Sequence, residues 1–570
     1  MLRHLVRRTS SIRAAFPPDS WQAFTACLPR TSRFMVGQLD AVAASAALHP
    51  IHPPNHSRGL TTGTTLTGNA ASNIHAASAE SASEFLDDPG LLRDEAYVNG
   101  KWVKAKGGKT YEVTDPATHV VIARVPSMGA ADTRGAIEAA AAAWEGWKQK
   151  TPKQRGDVLR RWYDLIQHHT MDLAKILTLE NGKPLAESRG EVGYGASFVE
   201  FYAEEAKRTY GEVIPSPTPG RRLVTIKQPV GVAALITPWN FPIAMITRKA
   251  APALAAGCPV VIKPAEDTPL SALALAELAE RAGVPPGILN VLTCPREHAA
   301  EVGLELSTSL NVRKLSFTGS TKVGKILMRD SASTVKKLSL ELGGNAPLIV
   351  FDDADIENAI NGVLAAKFRN AGQTCVSPNR LLVQSRIYDE FVSTLAEKVA
   401  NLQVGHGLQP GVQIGPLINP GGLEKVQRHV HDAVKKGAQV VTGGDLHALG
   451  GTFFEPTVLG DCRPDMLVFT EETFGPVCSV FKFQAEAEAI EMANATPFGL
   501  AAYVFAGDVG KGWRVAEAIE AGMVGVNEGM ISTAVAPFGG VKESGVGREG
   551  AKVGIDEYLE TKYLCLGSFR

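Results

Sequence analysis

An α/β fold, with parallel sheets covered by helices on both faces, is what this 570-residue sequence predicts, and three observations carry it. Between residues 235 and 332 short apolar runs alternate with segments of helical spacing: LITPW, MITRKAAPALAAG, CPVVIKP, SALALAELAERAG, GILNVLTC, VRKLSFTG and TKVGKILMRDSA. Most of the strand-length runs are continuously apolar rather than alternating, the pattern of strands buried on both faces. Hydrophobic residues make up 45% of the chain and the formal charge is −1, so core material is ample and no basic footprint for nucleic acid exists.

Residues 1–79 stand apart. They carry seven arginines, no lysine and only Asp19 and Asp40 as acids, and they open MLRHLVRRTSSIRAAF. An arginine- and serine-rich, acid-poor start predicts a mitochondrial transit peptide with a disordered arm behind it, and a matrix location for the remainder. HPIHPPNH holds His49, His52 and His56, but its prolines and the lack of apolar surroundings predict a linker rather than a metal tract. From about residue 94 the composition turns globular. AYVNGKWVKAKGG and KTYEVTDPATHVVIARVP are predicted strands, and residues 130–180 predicted helices, with Val158, Trp162, Leu165 and Ile166 on one face. No apolar run reaches the ~18 residues that crossing a bilayer requires. The seven cysteines are scattered and form no CxxC pair, so reduced thiols are expected and no metal site is signalled.

A parallel sheet of this kind is a common frame for dinucleotides. One literal GxGxxG, Gly545, Gly547 and Gly550, lies too near the end of the sequence to open a βαβ unit and is predicted to be a turn. FTGSTKVGK is better placed, because Gly319 and Ser320 follow the strand-like KLSF and a helix begins near Thr321. Backbone N–H groups at such a helix start can hold a pyrophosphate, although a Gly-Ser turn before a helix can also be a plain connection.

Candidate chemistry centres on Cys375 in RNAGQTCVSPNR. Upstream, Ile356, Ile360, Leu364 and Phe368 recur at i+4 spacing, which predicts a helix that buries this row and delivers the chain to GQTC. Gln373, Thr374 and Ser377 flank the thiol with polar groups, a setting in which it can meet a substrate and ionise. Glu341 ends the strand-like KKLSLE; a carboxylate in a dry setting has the raised pKa of a group that activates water, whereas a solvent-facing strand end has no role. Asn240 sits between Pro238 and Pro242, and either aims its amide at a developing oxyanion or closes a turn. Lys263 and Glu266 leave the end of CPVVIKP, where α/β sheets place ligands; a surface ion pair is the plainer alternative.

Taken together and in this order, PWNFP, FTGSTKVG, ELGGNAP, GQTC and EETFGP resemble the aldehyde dehydrogenase superfamily, and the likeness covers nearly all of the chain after the N-terminal arm. YGASFVEFYAEEAKR, KFRNAGQTC, APFGGVKESGVGREG and GIDEYLETKYLCLG are most similar to its succinate-semialdehyde branch. The resemblance implies an aldehyde dehydrogenase-like fold: a Rossmann-type dinucleotide-binding domain over residues 90–210 and 228–340, an α/β catalytic domain over residues 341–545, and a small β oligomerisation arm from residues 211–227 and 555–570. It implies Cys375 as nucleophile, Glu341 as general base, and Asn240 with the Cys375 N–H as oxyanion hole. Lys263 and Glu266 match a ribose-binding pair, Gly319 and Ser320 a pyrophosphate loop, Trp239 and Lys249 further cofactor contacts, and Glu472 with Phe474 the grip on the nicotinamide ribose and ring. Arg248, Arg369 and Ser532 match positions that anchor a distal carboxylate; by themselves the arginines would pass for a helix-surface charge and a helix C-terminal one.

The implied reaction is oxidation of succinate semialdehyde to succinate, with glutarate semialdehyde or another ω-carboxylate aldehyde as the alternative. NAD is the expected cofactor and NADP the lesser alternative, because a carboxylate at Glu266 accepts two ribose hydroxyls but repels a 2′-phosphate. The expected partners are a small-molecule aldehyde and further copies of the chain, as a homodimer or homotetramer, with no nucleic acid, membrane or metal. Many members of this branch carry CVC where this chain has CVSP, so a local disulfide switch at Ser377 is not expected. A cysteine-dependent hydrolase would also use Cys375, but it has no use for Lys263, Glu266 and the Gly319 loop, and no histidine stands in the motifs to pair with the thiol.

Overall fold

Continuously apolar segments pair side by side in the computed structural model, which describes residues 85–568; the expected transit segment, residues 1–79, lies outside the described residues. An eight-stranded sheet has five parallel strands at its centre, in the order Leu289–Val291, Val260–Lys263, Val232–Ile236, Val312–Thr318, Lys337–Glu341. Ala96–Val98 and Lys101–Val103 extend one edge antiparallel, and Gly545–Val546 extends the other. Every residue of Val232–Ile236, Val260–Lys263 and Leu289–Val291 is buried, as a sheet covered on both faces demands.

The chain builds outward from Val232–Ile236 to one side and then returns to lay Val312–Thr318 on the other. Strand order therefore reverses between these two, and the helices leaving their carboxyl ends diverge to open a crevice. Helix Pro242–Ala256 is buried along its whole length, packed against helix Leu185–Glu205. Helix Pro152–His168 buries Val158, Leu159, Trp162 and Ile166, close to the predicted face.

A second, seven-stranded sheet runs Gln439–Thr442, Thr457–Cys462, Val477–Phe483, Pro378–Gln384, Ala346–Val350, Ala501–Phe505, Met523–Val526, parallel except at its first strand. Helix Ile356–Lys367 precedes Pro378–Gln384, with the Asp355 carboxylate accepting the Asn358 N–H as its cap. Its buried face is Ala359, Ile360, Val363 and Ala366, while Ile356 and Leu364 sit at the rim. Of the i+4 row read from the sequence, Ile360 and Phe368 are buried in this core and Ile356 and Leu364 pack against its edge, while Ala359, Val363 and Ala366 widen the buried face because i+3 and i+4 steps alternate along it.

A third, small sheet pairs Leu559–Leu566 with Arg222–Pro229 along its full length, and Val213–Ile214 with the other edge of Arg222–Pro229. Only Leu559 of its C-terminal strand is buried; Val213, Tyr563, Leu564 and Leu566 are exposed. No helix among the described residues is long and apolar enough to cross a membrane.

Candidate active site

A cleft of about 470 Å³ opens at the point where the strand order reverses. Trp239 and Asn240 reach it from the end of Val232–Ile236, Gly319 and Ser320 from the end of Val312–Thr318, and Cys375, Glu472 and Phe474 from the second sheet. Seven of the residues singled out in the sequence thus share one cavity wall. Ser320 caps helix Thr321–Ser331 by accepting the Val323 N–H, so the first turn of that helix presents its remaining amides to the cleft. The Trp239 and Phe474 rings meet edge to face at 5.6 Å, and Glu472 accepts the Gly344 N–H at 3.2 Å.

The approach to the thiol is tightly constrained. Asn370, Ala371 and Gly372 are left-handed in succession, with φ of 52°, 53° and 73°. Two non-glycine residues held this way cost on the order of 1–2 kcal/mol each. A Cβ at Gly372 would strike the Gly475 carbonyl. What holds the turn is the Asn370 side chain, which donates to the carbonyls of Asn240 at 2.9 Å and Gln373 at 3.3 Å. Asn240 in turn donates one amide hydrogen to the Gln373 carbonyl at 3.1 Å, which leaves its second hydrogen for a ligand.

Burial pushes the Cys375 thiol up to about 11; Arg248 and Arg369 pull it down, and Glu472 and Glu341 push it further up. The thiol is therefore protonated at neutral pH in the absence of ligands. Alkylation of Cys375 by iodoacetamide, followed on its own peptide by mass spectrometry, is expected to speed up about tenfold per pH unit until the pH nears 11. A plateau near pH 8 would contradict this environment.

Glu341 ends its strand, is 2% exposed, and neither carboxyl oxygen has a hydrogen-bond partner among the described residues. Burial first, and then the charge of Glu549, raises its pKa well above the ordinary carboxylate range. This is the dry carboxyl anticipated from the sequence rather than a solvent-facing strand end.

Arg248 and Lys249 lie on helix Pro242–Ala256, fully buried, and share Glu549: Arg248 Nε donates to one carboxylate oxygen at 2.6 Å and Lys249 Nζ donates to the other. Lys249 thus stands behind the cleft wall rather than in it. Lys263 Nζ is 3.6 Å from Glu266, which lines an adjoining recess of about 220 Å³; Arg296 lines both cavities. Arg248 stacks on Phe538 at 4.0 Å with its Nη1 buried and without a hydrogen-bond partner among the described residues. Arg369 lies 5.0 Å over Phe241, its Nε likewise buried and without such a partner. Both arginines act electrostatically on Cys375 and on Tyr194, whose buried hydroxyl faces Arg248. Ser532 is partly buried in the segment after strand Met523–Val526.

Sequence reasoning missed Glu549, Asn370, Tyr194, Arg296 and the buried Lys183. Glu549 lies within GVGREG, which was set aside as a turn, and nothing local in that stretch points to arginine and lysine partners 300 residues earlier.

Fold and cleft together define an α/β enzyme with a dinucleotide crevice. The chain belongs to the aldehyde dehydrogenase family, whose profile matches residues 102–564. It is 58% identical over 482 residues to glutarate-semialdehyde dehydrogenase of Pseudomonas aeruginosa, covering 85% of this chain and 99% of that protein. It is 57% identical over 489 residues to mitochondrial succinate-semialdehyde dehydrogenase of Arabidopsis thaliana, covering 86% and 92% of the two chains. Among solved structures, an NADP-dependent enzyme of E. coli is similar with a TM-score of 0.83 and 55% identity, covering 85% of this chain and all of that one.

Proposed function

We propose that the protein oxidises short aldehydes bearing a distal carboxylate, succinate semialdehyde foremost, with NAD as hydride acceptor. The observation that carries the substrate class is the pair Arg248 and Arg369, each with a buried guanidinium nitrogen that lacks a partner among the described residues, both acting on Cys375. A carboxylate a few bonds from the carbonyl satisfies those donors while its aldehyde lies at the thiol. Ser532 is the third member of this anchor. The P. aeruginosa relative, named for glutarate semialdehyde, makes the one-carbon-longer substrate the competing reading.

The residues present fit a dinucleotide. The start of helix Thr321–Ser331, with Gly319 and Ser320, suits a pyrophosphate, and the Glu266 recess, joined to the cleft through Arg296, suits the adenosine end. Lys263 and Glu266 would hold ribose hydroxyls, Trp239 the cofactor wall, and Glu472 and Phe474 the nicotinamide ribose and ring. Lys249 supports this wall through Glu549. Glu266 favours NAD, since its carboxylate opposes a 2′-phosphate, although the E. coli structure is of an NADP-dependent enzyme. When bound, the nicotinamide accepts a hydride.

Cys375 first gives up its proton to solvent in the cleft; as thiolate it attacks the aldehyde carbon, and the oxygen becomes an oxyanion held by the Asn240 amide and the Cys375 N–H. Loss of hydride leaves a thioester on Cys375. Glu341, in its ionised form, takes a proton from the water that hydrolyses it, and the carboxylic acid product leaves. Residues 1–79 act as a transit peptide to the mitochondrial matrix, residues 90–210 and 228–340 as the cofactor domain, and residues 341–545 as the catalytic domain. The exposed small sheet, residues 211–227 and 555–570, joins copies of the chain into a dimer or tetramer.

The test compares reduced-cofactor formation with succinate semialdehyde, glutarate semialdehyde and an uncharged aldehyde of similar length, with NAD and with NADP. Arg369→Ala is expected to lower kcat/KM for the carboxylate substrates by roughly 30- to 100-fold, the worth of a charge-assisted hydrogen bond, and to leave the uncharged aldehyde nearly unaffected. Equal use of the uncharged aldehyde by the wild type would remove the substrate assignment and leave the dehydrogenase chemistry standing.

A further inference from the structure

Behind the cleft lies an ion pair that the reaction does not use. Lys183 has a fully buried side chain whose Nζ donates to Glu191 Oε2 at 2.5 Å and to the backbone carbonyl of Asn240 at 2.6 Å, while resting 4.0 Å over the Phe241 ring. The other oxygen of Glu191 accepts the N–H groups of Ile243 at 2.9 Å and Ala244 at 3.3 Å. Those are free amides in the first turn of helix Pro242–Ala256, where Phe241 supplies no side-chain cap. Asn181, two residues before Lys183, donates its side-chain amide to the Trp239 carbonyl at 2.9 Å. Glu187, one turn before Glu191 on helix Leu185–Glu205, accepts the Asn370 N–H at 2.7 Å on the segment that leads to Cys375.

We infer that Lys183 and Glu191 form a positioning pair for the oxyanion amide, setting the backbone of Asn240 from behind so that its side chain meets the developing charge. The inference rests on the reading of Asn240 given above. A buried ion pair adds little net stability over an apolar pair of the same volume. Its distinctive contribution is direction. Lys183 and Asn370 both donate to the same Asn240 carbonyl, Glu191 fixes the amides of Ile243 and Ala244 further on, and Asn181 holds the Trp239 carbonyl just before, so the backbone on both sides of Asn240 is held by charge-assisted or amide hydrogen bonds. The same carboxylate anchors the helix that carries Arg248. Lys183 touches no reacting atom: it has no exposed surface, and two of its hydrogens are committed to Glu191 and Asn240.

The test is a double-mutant cycle on the full enzyme with whichever aldehyde reacts best. Lys183→Met is expected to lower kcat/KM about 30- to 100-fold, the scale of a misplacement near 1 Å. Asn240→Ala is expected to lower it about 10²- to 10³-fold. If Lys183 acts through Asn240, the double variant falls no more than about threefold below Asn240→Ala alone, because the amide being positioned is already gone. Alkylation of Cys375 by iodoacetamide, which needs no oxyanion hole, stays within about twofold in all three. Effects that multiply, or a Lys183→Met enzyme of wild-type kcat/KM, overturn the positioning role. Should Lys183→Met fail to fold, Glu191→Gln takes its place in the cycle with a smaller loss, about tenfold, and the same non-additivity decides. If Asn240→Ala alone retains wild-type kcat/KM, the oxyanion assignment falls, and the positioning role with it.

Discussion

Cys375→Ala protein is expected to form reduced cofactor at less than about 10⁻⁴ of the wild-type rate, in line with the loss of a covalent nucleophile elsewhere. The fold should survive, because the side chain is only partly buried at the cleft wall and its removal deletes a single sulfur. Glu341→Gln separates the two halves of the reaction. The carboxyl is buried with neither oxygen hydrogen-bonded among the described residues, so glutamine replaces it with little change in shape. If its work is to activate the hydrolytic water, this variant still releases about one equivalent of reduced cofactor per subunit in a fast phase and then turns over roughly 10²- to 10³-fold more slowly. Stopped-flow absorbance of the reduced nicotinamide reads both phases. A fast phase absent from Glu341→Gln would move Glu341 to the deprotonation of Cys375 itself.

The second large effect falls on stability. Glu549→Gln is expected to cost about 3–5 kcal/mol, because it leaves Arg248 and Lys249 buried with a neutral partner. Burial opposes ionisation of Glu549, but Lys249 and Arg248 outweigh it and hold the carboxyl below its ordinary range. A depressed folded-state pKa contributes stability above the unfolded pKa and loses it as the pH falls through the folded value. The gap between wild type and variant should therefore be full at neutral pH and narrow only in strong acid. Glu341 has the opposite sign: its raised pKa makes its ionisation a cost that grows as the pH rises above the ordinary carboxylate range. Urea unfolding across pH should thus show Glu549→Gln weakened at pH 7 and Glu341→Gln unchanged or strengthened. A Glu549→Gln protein as stable as wild type would mean that the two cations reorient to water.

The parts of the molecule that could be read in advance are those whose information is local. Strands such as Val260–Lys263 are continuous apolar runs between turn residues, and Ser320 precedes its helix as a cap should, so the sheet and the turn that opens this helix were legible. PWNFP and GQTC were legible as constrained loops because proline and glycine act on their immediate neighbours. Glu549 was not, since its partners lie 300 residues earlier and a carboxylate beside glycines has the local signature of a turn. Lys183 was not, because a lysine before proline is ordinarily solvated, and only packing of helix Leu185–Glu205 onto helix Pro242–Ala256 removes it from water. The row Ile356, Ile360, Leu364 and Phe368 was legible as the core-facing side of helix Ile356–Lys367, but the share of Ala359 and Ala366 in that contact was not, because alanine carries a weak apolar signal.

Gly545–Val546 completes the edge of the first sheet, and Glu549 neutralises Arg248 and Lys249 inside it, although every other strand of that sheet lies before residue 342. A ribosome delivers these pieces in the wrong order for early closure. While the second sheet is still being synthesised, the first has an open edge beside Lys337–Glu341 and two cations without their counter-ion. The half built on the first sheet is thus the first to be made and the last to be finished, and a chain cut short by a few dozen residues at its C-terminus would lose that half rather than the one it was cut from.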